Sequence, residues 1–239
     1  MTGSPDSDER APGLGEQFSA AVRRSGLGQV APGETPTARS LLAAVGGARG
    51  LVESILPGLA FLVIYTLTGL LLPSVLIPLA LALVFVAGRL IARTPATQAF
   101  AGVAGIAISA ALALLSGKAV DNFIPGIVIN AVSLAVILIS LAVRWPVIGV
   151  IVGVLTGDGM AWRTQRGRRR VLTLATWLWA GLFAARLVVE YPLFLAGEVE
   201  ALAVAKLLLG VPLYAGMVWV TWLLVRAVYG REREAEPAA

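Results

Sequence analysis

The chain of 239 residues contains no cysteine and no histidine. The absence of cysteine excludes disulfides, thiolate nucleophiles and thiolate-bound metals, and the absence of histidine excludes imidazole acid–base catalysis and histidine-ligated haem. Any bound metal would be a hard ion held by carboxylates and carbonyls. Nucleotide-binding, nucleophile-elbow and zinc-protease signatures are also missing. We therefore expect no catalytic residue, no cofactor and no metal site.

Charge is scarce as well. Only 14% of the residues are charged and 58% are hydrophobic, whereas a soluble domain carries about 25% charged residues. Because this chain has too few polar residues to cover the surface of a water-soluble domain, the composition indicates a membrane protein. The basic residues behind the net charge of +5 are then interpreted as signals that orient the chain in the membrane and that favour anionic lipids at the cytosolic face. We expect no nucleic acid as a partner.

The apolar runs predict an all-α, polytopic bundle of six transmembrane helices. The first uncharged stretch, from Ser54 to Gly88, would extend about 50 Å as one helix, against a hydrocarbon core of about 30 Å. It must therefore form a hairpin, with Pro73-Ser74 as the natural turn. The predicted helices cover about 53–72, 74–92, 94–116, 124–143, 171–196 and 200–228. They form a domain over 41–229, between a disordered cytosolic tail (1–40) and a short C-terminal tail (230–239).

The positions of the basic residues predict the orientation. With six spans, sixteen cations fall on one side and only Lys118 on the other, while Arg186 and Lys206 lie within helices. Because arginine and lysine accumulate in cytoplasmic loops, this split places both termini in the cytosol of a bacterium, with the helices in its cytoplasmic (inner) membrane. The sixteen are Arg10, Arg23, Arg24, Arg39, Arg49, Arg89, Arg93, Arg144, Arg163, Arg166, Arg168, Arg169, Arg170, Arg226, Arg231 and Arg233.

A further apolar segment, about 145–157, is too short to span the membrane and has arginines on both sides. We interpret it as a re-entrant or interfacial helix. Gly149, Gly153 and Gly157 recur every four residues, so they share one face of this helix and permit close helix packing.

Ionisable groups within the bilayer are candidates for a functional site because each costs about 2.5–3.5 kcal/mol on insertion scales. Arg186 and Glu190 lie one turn apart on one helix face, and Pro212 frees the carbonyl of Leu208 as an acceptor for Arg186. Two interpretations stay open: a lock between helices, or a ligand or ion site. Glu53 is expected to pair with Arg49 or Arg144. The candidate polar cluster consists of Arg186, Glu190, Lys206, Asn130, Asp121 and Asn122.

Several short motifs carry a resemblance to a known family. They are the run from Gly46 through Arg49 and Glu53 to Pro57, Asp121-Asn122-Phe123, Arg144-Trp145-Pro146, and Trp179, Phe183, Arg186 and Pro192 in one helix. Over about 41–229 the chain resembles the actinobacterial membrane family catalogued as domain of unknown function 3159. More remotely it is similar to intracellular septation protein A. The closer resemblance implies the membrane fold and draws attention to Arg186, but it implies no reaction.

Three functions remain compatible with the sequence. The first is a non-enzymatic envelope scaffold or assembly factor, as the remote resemblance implies, acting with an envelope protein or as a homo-oligomer. The second is a small-solute or ion transporter or channel that uses the polar cluster, since proline-interrupted helices are typical of midplane sites. The third is a lipid-active enzyme with Asp121 or Glu190 as acid–base.

Overall fold

The computed structural model describes residues 47–92, 97–156 and 159–235. The predicted tail 1–40 and Gly157 lie outside these ranges. The described ranges are helical and contain no β-strand. The α-helices are α1 (Gly47–Thr68), α2 (Leu71–Ile91), α3 (Thr97–Ser116), α4 (Ile124–Ala142), α5 (Val147–Thr156), α6 (Arg166–Leu195), α7 (Val199–Leu208) and α8 (Val211–Ala235), with 3₁₀ helices at Ala119–Phe123 and Ala161–Arg163.

The helices form a membrane bundle. Five segments are long and apolar enough to cross a bilayer: α1, α2, α4 with the 3₁₀ turn before it, α6, and α7 taken together with α8. Their outer surfaces carry exposed leucine, isoleucine and valine side chains, for example Leu67, Val84 and Val188, which lipid would cover. The remaining predicted span, 94–116, corresponds to α3. Its apolar part, Phe100–Ser116, is shorter than the other five segments, so the number of six spans remains a prediction.

The first hairpin turns at Gly69–Leu70, and the predicted turn at Pro73-Ser74 is wrong. Gly69 has a φ of 64°, a left-handed conformation that glycine adopts without steric cost and that ends a helix. Pro73 lies instead in the first turn of α2, where the missing N–H of proline is not needed by the helix. The turn residue was therefore the glycine before the proline.

The last predicted helix, 200–228, is broken. α7 ends at Leu208 and α8 begins at Val211, with Pro212 in its first turn. The chain passes tightly through Gly210, because a Cβ added there would lie 2.5 Å from the carbonyl oxygen of Lys206. The break brings backbone carbonyls to the interior of the bundle, where they need hydrogen-bond partners.

The bundle consists of two halves. In the first, α1, α2, α3 and α7 pack around Phe61, Val75, Phe123 and Leu202. In the second, α4, α6 and α8 pack around one core that includes Ile137 and Phe183, and α5 packs on α6 around another that includes Trp162 and Leu172. The halves meet where α7 contacts α6 and α8, and where α3 and the 3₁₀ helix Ala119–Phe123 contact α4.

The short helix α5 matches the predicted segment that does not cross the membrane, because its 10 residues extend only about 15 Å. Its two described glycines face Trp162, whose ring lies 2.9 Å from a Cβ added at Gly149 and 3.0 Å from one added at Gly153. The close approach is therefore to the indole of Trp162, which belongs to the 3₁₀ helix Ala161–Arg163 before α6.

Candidate functional site

A buried polar network joins α4, α6 and the break between α7 and α8. Arg186 Nη2 donates a hydrogen bond to Glu190 Oε1 at 2.8 Å, and Nη1 donates to the carbonyl oxygen of Leu209 at 2.6 Å. Asn130 Nδ2 donates to Glu190 Oε2 at 3.0 Å. The three side chains are only 6%, 4% and 3% exposed, in the order Arg186, Glu190, Asn130.

The arrangement follows from the local sequence. Arg186 and Glu190 are four residues apart in α6, so their side chains meet on one face. The acceptor on the broken helix is Leu209, one residue beyond the expected Leu208, because the chain leaves helical geometry at Leu209–Gly210. Both oxygens of Glu190 are engaged, so the network neutralises the arginine charge and joins three helices in the interior.

Lys206 does not join this network. It lies on α7 near the middle of the bundle's depth, because the next residue, Leu207, lies 3.4 Å from a Cβ added at Gly58, halfway along α1. Its ammonium is 5.3 Å from the ring centre of Phe123. Among the described residues, no carboxylate lies within 4 Å of it to form a salt bridge. Lys206 is exposed and is one of the residues that line a cavity.

The cavity has a volume of about 500 Å³ and lies between the two halves of the bundle. Arg186, Lys206 and Asn122 line it on one side, and Glu53 lines it at the other end. The other three members of the predicted cluster, Asp121, Asn130 and Glu190, are not among the lining residues. Most of the remaining wall is apolar or small, and it includes Phe61, Val75, Ile106, Ser109, Ala203 and Val211.

Small residues of α3 create much of this space. Gly102, Gly105 and Ser109 line the cavity, and a Cβ added at either glycine would meet no atom within 4 Å. The sequence reasoning missed these residues. Their spacing of three and four positions places them on one helix face, but such a stripe is more often a helix-packing surface. Whether such a stripe lines a cavity or packs against a helix depends on the neighbouring helices, and here it lines the cavity.

We use the name arginine-rich end for the end of the bundle where α1 and α6 begin and α2, α4 and α8 finish. There Glu53 forms salt bridges with Arg49 at 2.8 Å and with Arg89 at 2.6 Å, which joins α1 to α2. Pairing with Arg49 was predicted, but the second partner is Arg89 and the expected Arg144 is wrong. A smaller cavity of about 270 Å³ lies beside these residues and shares Glu53, Ser54, Gly102 and Ile106 with the larger one.

Other cations at the arginine-rich end stack on aromatic rings. The Arg163 guanidinium lies 4.2 Å from the ring centre of Trp145, and Arg168 lies 4.2 Å from that of Tyr229. Such contacts fix cations near the ends of the spans, where anionic headgroups would be attracted to them. Binding of anionic lipids here remains a prediction. Within the described ranges, no three carboxylates come together as a metal site.

The fold defines a polytopic helical membrane protein with a polar interior site. The chain belongs to the family described as protein of unknown function (DUF3159), whose model matches residues 45–232. No curated protein and no solved structure matches the chain. The family description assigns no molecular activity.

Proposed function

We propose that the protein is a membrane transporter for a small organic solute, and that the cavity between the two halves is its solute site. The observation that carries the proposal is the position of Lys206: a cation at mid-depth, without a carboxylate partner among the described residues, lining a cavity of about 500 Å³. We further propose a bacterial cytoplasmic membrane with both chain ends in the cytosol, as the distribution of arginines indicates.

The energetics of Lys206 support a hydrated or ligand-occupied cavity. A lysine at the centre of a bilayer costs about 2.5–3.5 kcal/mol on insertion scales, even where water or headgroups partly solvate it. Arg186 avoids that cost through its carboxylate and carbonyl partners, whereas Lys206 has no salt bridge to a carboxylate among the described residues and lies beside the ring of Phe123. Water or a solute in the cavity would supply the missing solvation.

Two further features fit alternating access to this cavity. The break at Leu209–Gly210 divides one span into two segments, as in transporters whose sites lie beside discontinuous helices. The Glu53 salt bridges to Arg49 and Arg89 close α1 onto α2 at the arginine-rich end, next to the point where the two cavities adjoin. Opening these salt bridges would connect the cavity to that side of the membrane.

The scaffold remains the second candidate, and the Arg186 network favours it. A closed, fully paired network in the core is what a protein needs for a fixed helix arrangement. In our proposal this network holds α4, α6 and the broken helix in place, while Lys206 and the cavity act on the solute. A scaffold has no need of the cavity, so blocking the cavity separates the two functions.

The test uses proteoliposomes incubated with an isotopically labelled extract of bacterial small molecules, whose contents are then measured by mass spectrometry. Gly105→Leu fills the cavity from a position with free space, and Gly181→Leu is the matched control outside the cavity lining, also with free space. At least one solute should accumulate with the wild type and Gly181→Leu and be lost with Gly105→Leu. Contents equal to those of protein-free liposomes in all cases would overturn the transporter and leave the scaffold.

A further inference from the structure

We infer that the cavity binds a single-chain amphiphile with an anionic head, with the head at Lys206 and the apolar chain along the small residues of α3. The inference rests on the solute site proposed above and specifies its ligand. It follows from three properties of the cavity: the sign of its charge, the chemistry of its wall and its opening toward the bilayer.

The charge at the Lys206 side of the cavity is positive. Arg186 and Glu190 neutralise one another in a direct salt bridge, so the charge left over is that of Lys206. Asn122 also lines the cavity, and its amide can add to anion binding there. An anionic head would receive a charged hydrogen bond from Lys206.

The opposite end of the cavity favours the apolar part of the ligand. Glu53 lines it there, and both of its carboxylate oxygens are already paired with Arg49 and Arg89, so among the lining residues this end offers no unpaired charge to a polar head. Between the two ends the wall consists of Val75, Pro78, Gly102 and Gly105 with their apolar neighbours, which cannot replace the hydration of a second polar group. A volume of about 500 Å³ is that of a site for one drug-sized ligand, so it accommodates one acyl chain in place of two.

The cavity also reaches the lipid-facing surface. Ile129 on α4 lines it and is 62% exposed, so this residue lies at its rim. In our inference, this rim is where the cavity opens to the bilayer. An amphiphile dissolved in the bilayer can therefore enter at this rim without passing through water.

The test measures competition against a fluorescent carboxylate, dansylaminoundecanoate, bound to the full chain in phosphatidylcholine nanodiscs, with empty nanodiscs as the baseline. Dodecanoate should displace the probe at least about tenfold more effectively than dodecanol or dodecyltrimethylammonium, because only the carboxylate pairs with Lys206. Lys206→Gln should weaken dodecanoate by at least about tenfold and leave dodecanol unchanged. Lys118→Gln, the matched control at the only other lysine, should behave as wild type.

Equal displacement by all three competitors, or wild-type dodecanoate binding in Lys206→Gln of unchanged thermal stability, would overturn the inference. If Lys206→Gln fails to fold, Lys206→Arg provides the second variant and should retain the preference for the carboxylate. Displacement by phosphatidylglycerol as effective as by dodecanoate would overturn the single-chain ligand in favour of a phospholipid. Probe binding without solute uptake refutes the transporter alone, and uptake without carboxylate preference refutes this inference alone.

Discussion

Replacing Arg186 by methionine removes the guanidinium that neutralises Glu190 and satisfies the Leu209 carbonyl, while the length of the side chain is largely kept. The Glu190 carboxylate, 4% exposed, would then remain buried with Asn130 as its hydrogen-bond donor. Removing one partner of a buried ion pair typically costs 3–5 kcal/mol, roughly, because the remaining charge is uncompensated. We therefore expect Arg186→Met to lower the free energy of unfolding by about 3–5 kcal/mol.

The triple variant Arg186→Met, Glu190→Leu, Asn130→Leu tests the reason for that loss. Removing the charges together leaves an apolar interior in which the Leu209 carbonyl is the group deprived of its partner, at a cost of about 1–3 kcal/mol. The triple variant should therefore be more stable than the single one. Unfolding by SDS in mixed micelles, followed by tryptophan fluorescence, measures both. A single variant within about 1 kcal/mol of wild type, or a triple variant less stable than the single, would refute the reasoning.

Two glycine substitutions test the local geometry. Gly210→Leu should destabilise the fold by about 1–3 kcal/mol, because its Cβ would meet the α7 carbonyl at 2.5 Å, whereas Gly216→Leu, with free space, should cost nothing; thermal unfolding in detergent compares them. Equal effects would contradict the tight passage. Gly153→Ala should displace Trp162 and the Gly159 carbonyl that its Cβ would contact, and so shift the tryptophan emission; an unchanged spectrum and melting temperature would argue against this packing.

The sequence alone predicted the features that depend on overall hydrophobicity or on the spacing of residues within one helix. The cost of placing charge in a bilayer is large, so the apolar runs identified the membrane bundle and the short segment that became α5. Helix periodicity alone placed Arg186 beside Glu190, and counting residues from the expected turns placed Asn130 at their level. These inferences needed no knowledge of which helices are neighbours.

The rest depended on tertiary packing. Glu53 pairs with Arg89 because α1 and α2 form a tight hairpin, and many cations in the sequence were equally plausible partners. The sequence predicts Lys206 as a member of the polar cluster with Arg186 and Glu190. The structure places it beside a cavity that Gly102 and Gly105 also line, where a Cβ added at either glycine would meet no atom within 4 Å. Empty space leaves no signature in a sequence.

The most direct test of a solute site measures whether water enters the cavity. The chain has no cysteine, so single cysteines can be introduced without removing others. Gly105→Cys lies in the cavity wall, and Val84→Cys lies at similar depth on the outer surface of α2, where Val84 is 64% exposed and does not line the cavity. In membranes, a charged methanethiosulfonate reagent should modify Gly105→Cys much faster than Val84→Cys, and Gly105→Cys should be protected by dodecanoate. Equal, negligible modification of both would contradict a hydrated solute site.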